Sequence, residues 1–286
     1  MGLGVLNNRN IDILVNEREY SVPHPSTVGH VRDLIKPDAD VLIVNGFPAE
    51  EDDVMKGGDR LVLIKRGEIP AAGELEALLI ARHTPGIYDT LKNSVVGVAG
   101  LGGLGSAVAI ALTRMGLGTL ILVDYDVVEP SNLNRQQFTI DQIGTSKTET
   151  MKTILAKINP YVQVKTFREV LTGNNLHDMF KSADVLVECF DRAEEKKMLL
   201  ETAAECLPDT FIIGASGLAG YGDSNSIKTW RLSDKIFVVG DLEKAAESGQ
   251  GLMAPRVGIA AHHQANLVIS LLLDPVKALS QIPDVS

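Results

Sequence analysis

Short apolar runs separated by polar, glycine-bearing breaks recur along this chain, and their spacing changes once. Before residue 67 the runs are closely set, at 11–15, 18–22, 41–44 and 60–65, with Asn16-Glu17, Asn45-Gly46 and Gly57-Gly58-Asp59 between them. Runs flanked by such turn residues predict strands. Ser26-Thr27 precede an amphipathic stretch, 28–35, that stops before Pro37, the pattern of a capped helix. A second helical pattern covers 74–81 and is broken at Arg82-His83-Thr84-Pro85-Gly86. From residue 95 the runs lengthen and alternate with helical periodicity. Strands are predicted at 95–99, 119–123, 162–167, 184–189 and 211–216. Helices are predicted after Gly105 and at 148–158, 176–180 and 194–206. Continuous apolar runs predict strands buried on both faces, and strand–helix alternation predicts a parallel sheet. Runs 227–232 and 236–239 suit an antiparallel pair. The stretch 256–273 reads as a core helix, in which one of His262 and His263 faces the core and the other solvent.

Two strands, a helix and two more strands is the order of a β-grasp, ubiquitin-like unit. The predicted class is therefore α/β: a Rossmann-like, mostly parallel sheet with helices on both faces, preceded by a small β-grasp domain. The boundaries expected are 1–70 for the β-grasp domain, 71–94 for a helix and linker, and 95–286 for the α/β domain.

The first α/β unit carries the chemistry. The run at 95–99 turns through Gly100-Leu101-Gly102-Gly103-Leu104-Gly105 into a helix, and the next run ends on Asp124. Glycines there allow a tight turn, close approach of backbone to phosphate, and close packing of helix on strand. The helix start offers free N–H groups and a positive dipole end to an anion. Asp124 stands where an acid can take ribose hydroxyls. This combination points to a nucleotide without saying which.

Composition narrows the partners. A net charge of −10 disfavours nucleic acid and anionic membranes. Two cysteines, Cys189 and Cys206, without CxxC spacing, argue against a disulfide framework and a four-cysteine zinc site. No basic-then-apolar leader pattern and no apolar run near about 20 residues are present, so a soluble cytoplasmic protein is expected.

Residues after the glycine turn discriminate further. Arg135 and Lys147 read as cations at the carboxyl ends of consecutive strands, with Asn132 beside them, and Asp191 follows the next strand. Two cations, an amide and an acid suit a triphosphate with Mg²⁺. There is no GxxxxGK[ST], so this is not a P-loop. Singly, Arg135 or Lys147 equally fits a solvated surface charge, and Asp191 a helix cap.

These residues also carry a family resemblance. The glycine turn, Asp124-Tyr125-Asp126, Ser131-Asn132-Leu133-Asn134-Arg135-Gln136, Gly144-Thr145-Ser146-Lys147 and Asp191 together are similar to the ThiF/MoeB family and the ubiquitin-activating enzymes. Val41-Leu42-Ile43-Val44-Asn45-Gly46 with Gly58-Asp59-Arg60-Leu61-Val62-Leu63-Ile64 resembles the ThiS/MoaD sulfur carriers. The resemblance implies ATP-dependent adenylation of the C-terminal glycine of a ThiS-like carrier, in thiamine biosynthesis or, alternatively, of a MoaD-type carrier in molybdopterin synthesis. It implies that Gly100, Gly102, Gly103, Gly105, Asp124, Asp126, Asn132, Arg135, Gln136 and Lys147 bind ATP, with Arg135 and Lys147 also stabilising the transition state. Asp191 would bind Mg²⁺ or organise the carboxylate. Arg82 resembles the arginine that relatives insert into a neighbouring subunit's site, which implies a homodimer.

Three departures stand out. The family's zinc cysteines are missing, so no zinc is expected. No cysteine follows Cys206, so sulfur transfer would fall to a separate donor, and Cys189 reads as core. Where a carrier ends in free Gly-Gly, this chain reads Ala71-Ala72-Gly73 and continues. Weaker readings are an autoinhibited nucleotide-binding protein, an NAD(P)-dependent enzyme, and ATP-dependent dehydration of a modified tRNA base, which the negative charge disfavours.

Overall fold

The computed structural model describes residues 10–82, 86–243 and 251–285, without the side chains of residues 81 and 82. The chain divides into two compact units, Met1–Tyr88 and Asp89–Ser286.

In the first unit, β1 (Asn10–Val15) and β2 (Arg18–Pro23) form an antiparallel hairpin whose turn residues, Asn16 and Glu17, both have positive φ. Helix α1 (Val28–Ile35) is capped by Thr27, whose hydroxyl accepts from the His30 N–H. Strands β3 (Val41–Val44), β4 (Phe47–Pro48) and β5 (Arg60–Ile64) complete a sheet of order β2-β1-β5-β3-β4, with β1 and β5 parallel. Val15, Val28, Val31, Met55, Leu61 and Leu63 form its buried core. This is the predicted β-grasp order with one extra two-residue strand, β4. Helix α2 (Ala72–Arg82) follows, and the carbonyl of Ala71 accepts from the N–H groups of Glu74 and Leu75. The Asn16 amide joins the hairpin turn to β5 and α2, bonding Leu63 main chain on both sides and Glu74 Oε1 at 2.7 Å. A short helix, α3 (Ile87–Asn93), occupies residues the sequence pattern leaves as a connection.

The second unit is an α/β sheet of order β11-β12-β10-β9-β6-β7-β8. Its strands are β6 (Val95–Ala99), β7 (Thr119–Val123), β8 (Gln163–Phe167), β9 (Val185–Glu188), β10 (Phe211–Ala215), β11 (Lys228–Arg231) and β12 (Ile236–Gly240). All pairings are parallel except β11 with β12, as the sequence pattern predicts. The helices are α4 (Gly103–Arg114), α5 (Lys147–Ile158), α6 (Leu176–Phe180), α7 (Ala193–Cys206), α8 (Ala254–Leu273) and α9 (Pro275–Gln281). Chain order places β6 beside both β7 and β9, so the sheet reverses direction of growth there. That switch point is where open α/β sheets bind ligands, beyond the carboxyl ends of their strands.

Helix α8 packs against α4 and buries Val257, Ala261, Gln264 and Val268. The Gln264 amide donates to the Glu188 carbonyl at 3.1 Å, tying α8 to the end of β9. His262 is exposed and His263 half-buried, so neither takes the core position expected for one of them. No helix among the described residues is long and apolar enough to cross a membrane.

Candidate active site

The glycine turn is shaped by two close approaches. Gly100 has φ +92°, and its N–H donates to the Val123 carbonyl. A Cβ at Gly105 would lie 1.8 Å from the Gly100 carbonyl oxygen, so no other residue fits there without moving backbone. Gly102, the N-cap of α4, has only the end of the Gln136 side chain near its missing Cβ, at 3.9 Å. The first N–H groups of α4, which lack intrahelical acceptors, stand beside that open space.

A cavity of about 780 Å³ opens above this turn. Gly100, Gly102, Gly103, Asp124, Asp126, Asn132, Arg135, Gln136, Lys147 and Asp191 all line it. Gly105 does not; it works one turn below, against backbone.

Asp124 directly follows β7 and is buried. Its two oxygens accept from the Leu101 N–H at 2.6 Å and the Asp126 N–H at 2.8 Å, which pins the glycine turn to the next strand. Burial pushes its carboxyl above the usual carboxylate range, against the Lys147 ammonium and the two amide bonds. Both oxygens retain a lone pair for a further donor.

Lys147 begins α5 and its side chain is 6% exposed; its ammonium bonds Asp126 at 2.8 Å. Asn132 closes a short 3₁₀ turn, where its Oδ1 accepts from the Glu129 N–H, leaving its Nδ2 as a donor. Arg135 packs across Gly103 and donates only to the Ser131 carbonyl and Asn134 Oδ1, so it has no carboxylate partner among the described residues. Gln136 is 7% exposed, and its Oε1 is buried without a hydrogen bond. The expectation that Arg135 and Lys147 stand at consecutive strand ends is not met; both come from the single connection after β7.

Asp191 follows β9. It is exposed at the cavity wall and bonded to nothing among the described residues. It does not cap α7, whose N-cap is Arg192. The cap reading of Asp191 is thereby removed, as is that of Lys147 as a solvated surface charge.

The sequence pattern passes over Glu188 and Lys196. Glu188 closes β9 at 1% exposure, and Lys196, in the first turn of α7, bonds both its oxygens at 3.0 and 3.2 Å and lines the cavity. An acid ending a fully apolar strand was the available signal. Cys189 is buried, and burial holds its thiol well above the usual range, as suits a core residue. The Arg82 side chain lies outside the described residues. No group of three or more His, Cys, Asp or Glu among the described residues is placed to hold a metal.

The cavity thus joins a helix N-terminus, four cations (Arg135, Lys147, Arg192 and Lys196), free amide donors and an acid, Asp191, that is unpaired among the described residues. The ThiF family pattern matches residues 76–282. The chain belongs to the ThiF family. The ThiS-like ubiquitin pattern matches residues 11–67. This ThiF-family chain is 35% identical over 153 residues to ubiquitin-like modifier-activating enzyme 5 of Drosophila ananassae, covering 49% of this chain and 39% of that one. It is 37% identical over 127 residues to adenylyltransferase and sulfurtransferase MOCS3 of Drosophila virilis, covering 44% and 28%. It therefore spans under two fifths of the length of these two relatives. Among solved structures, E. coli tRNA N6-threonylcarbamoyladenosine dehydratase TcdA, in complex with ATP, shares the fold at TM-score 0.64 and 19% identity, covering 75% of this chain and all of that one. E. coli MccB with ATP matches at TM-score 0.51 and 26% identity, covering 68% and 60%.

Proposed function

We propose that this chain binds ATP and adenylates the C-terminal carboxylate of a ThiS-type carrier ending in Gly-Gly. The observation that carries this reading is that one cavity, floored by the glycine turn, is lined by an acid, Asp191, and an arginine, Arg135, neither of which has an oppositely charged partner among the described residues. Oxidoreductases that hold dinucleotides do not need that pair. The relatives' names, a ubiquitin-like modifier-activating enzyme and an adenylyltransferase, support it, as does the ATP complex of MccB among the structural neighbours.

Asp124 takes the ribose hydroxyls on its remaining lone pairs. The amides of the glycine turn, the Asn132 Nδ2 and the Arg135 guanidinium take phosphate oxygens. Lys147, kept oriented by Asp126, faces the α-phosphate and lowers the cost of charge that builds there. A carboxylate oxygen of the carrier attacks the α-phosphorus. A carrier–phosphate bond forms, the bond to the β-phosphate bridging oxygen breaks, and pyrophosphate leaves with that electron pair.

One free carboxylate fits Mg²⁺, which is held by one or two carboxylates plus substrate phosphates rather than by an all-protein cage. Asp191 would hold it, and the ion would supply further neutralisation of the triphosphate.

The fused β-grasp unit is not the activated group in this reading, because its tail position enters α2 at Ala72. The carrier comes from another molecule, with sulfur from a separate donor. Thiamine-type chemistry is favoured by the ThiS-like pattern over a MoaD-type partner. A homodimer, with Arg82 reaching a neighbour's site, and a cytoplasmic location complete the proposal.

ATP–pyrophosphate exchange with Mg²⁺, with and without the Gly-Gly carrier, tests it. Exchange that needs the carrier and is lost in Arg135→Ala is the expected result. Nucleotide binding without exchange under any carrier would overturn it. Exchange with no carrier would move the substrate to another acid.

A further inference from the structure

The cavity runs across five strand ends in the order β8-β7-β6-β9-β10, and its charges divide along that line. The ribose acid Asp124 follows β7, and Glu169 to Leu171, also at the wall, follow β8. The glycine turn follows β6 and Asp191 follows β9. Residues 215–219, from the last residue of β10 onward, line the far end. A nucleotide whose ribose is at β7 and whose phosphates are at β6 leaves the β9–β10 end for the second substrate.

Two cations reach that end. Arg192 is exposed and pairs with Glu195 at 3.4 Å, both of them at the cavity wall. Lys196 instead bonds Glu188. The Glu188 carboxylate is held from three sides: by the Phe190 N–H at 2.6 Å, the Ala215 N–H at 3.3 Å and the Lys196 ammonium. A Cβ at Gly214 would stand 3.3 Å from its Oε2, so the adjoining strand leaves room for it. Lys196 gives two of its three N–H bonds to Glu188; the third has no partner among the described residues.

Local physics does not favour this pair as a stabilising device. A cation in the first turn of a helix opposes the helix dipole, and the turn already carries Glu194 and Glu195. Burying a carboxylate and an ammonium together costs desolvation that their attraction does not reliably return. A residue that breaks local rules at a cavity wall is a candidate for function.

We propose that Lys196, tethered by Glu188, is the group that receives the acyl-donor carboxylate and holds it in line with the α-phosphorus. The inference rests on the adenylation reading above. Carboxylate and triphosphate are both anionic, and a fixed ammonium between β9 and β10 lets the first approach the second.

The test is ATP–pyrophosphate exchange by the full chain with Mg²⁺ and a Gly-Gly carrier, comparing wild type, Lys196→Gln and Lys196→Arg. Loss of one charged contact predicts a carrier KM raised about tenfold to a hundredfold in Lys196→Gln. The KM for ATP stays within about twofold, and Lys196→Arg recovers much of the loss. A purely structural lysine would lower stability or affect both substrates alike. If Lys196→Gln fails to fold because Glu188 is left unpaired, Glu188→Gln/Lys196→Gln removes both charges and is read in the same way. Wild-type exchange with an unchanged carrier KM in the variant overturns this inference alone. No carrier-dependent exchange in the wild type overturns the adenylation reading and this inference with it.

Discussion

Asp191→Ala separates what the fold needs from what the chemistry needs. The residue is exposed, accepts no hydrogen bond and joins no ion pair among the described residues, and does not cap α7. Nothing in the folded state is lost with its carboxylate, so the stability change should stay within about 0.5 kcal/mol. For a unit spanning residues 89–286 that is a melting shift of no more than about 2 °C. The effect on exchange should be of another order. Removing one preorganised electrostatic group from a reacting centre costs roughly a hundredfold to a thousandfold in rate, about 2.7–4 kcal/mol of barrier. The assay pairs a thermal melt with carrier-dependent ATP–pyrophosphate exchange on the same preparation. Exchange within about threefold of wild type would refute the assignment of Asp191. A melting loss of about 6 °C or more would show a structural role that its surroundings do not reveal.

Three more outcomes follow from particular contacts. Gly105→Ala should cost at least about 2 kcal/mol in a denaturant melt, because its Cβ would meet the Gly100 carbonyl at 1.8 Å; Gly102→Ala, with space beside it, should fold normally and lose nucleotide affinity in a titration. Asp126→Ala strips the buried Lys147 of its bond and should destabilise by about 1–3 kcal/mol, whereas adding Lys147→Met should cost less than the two single changes summed, as read by a double-mutant cycle. Burial raises the Glu188 carboxyl above the usual range against the Lys196 ammonium, so between about pH 4 and that raised value the folded chain holds a proton that the unfolded chain has lost. Stability relative to Glu188→Gln should therefore be greatest at the acid end and fall as pH rises through that window, and melts across the range give the sign.

How much of this was legible depended on whether the signal was local. The glycine spacing, the apolar runs and Asp124 at a strand end each obey short-range rules, and the sheet and its switch point followed. Asp191 was readable because it follows an apolar strand. Strand β4 was not readable, because two residues after Asn45-Gly46 have no period and owe their pairing to β3. Helix α3 was not readable because Pro85-Gly86, just before it, signal a break and a connection. Asn132 and Lys147 were identified by type, but their bonds to Glu129 and Asp126 depend on how one long connection folds. Glu188 and Lys196 lie eight positions apart, across a strand end, and only the fold places their charges together.

The most direct measurement of the central claim is the intact mass of a Gly-Gly carrier after incubation with this chain, MgATP and inorganic pyrophosphatase. Addition of one AMP to the carrier, absent without the chain and absent with a carrier whose C-terminus is amidated, is the predicted result. An unmodified carrier in a reaction where the chain demonstrably binds ATP would contradict it.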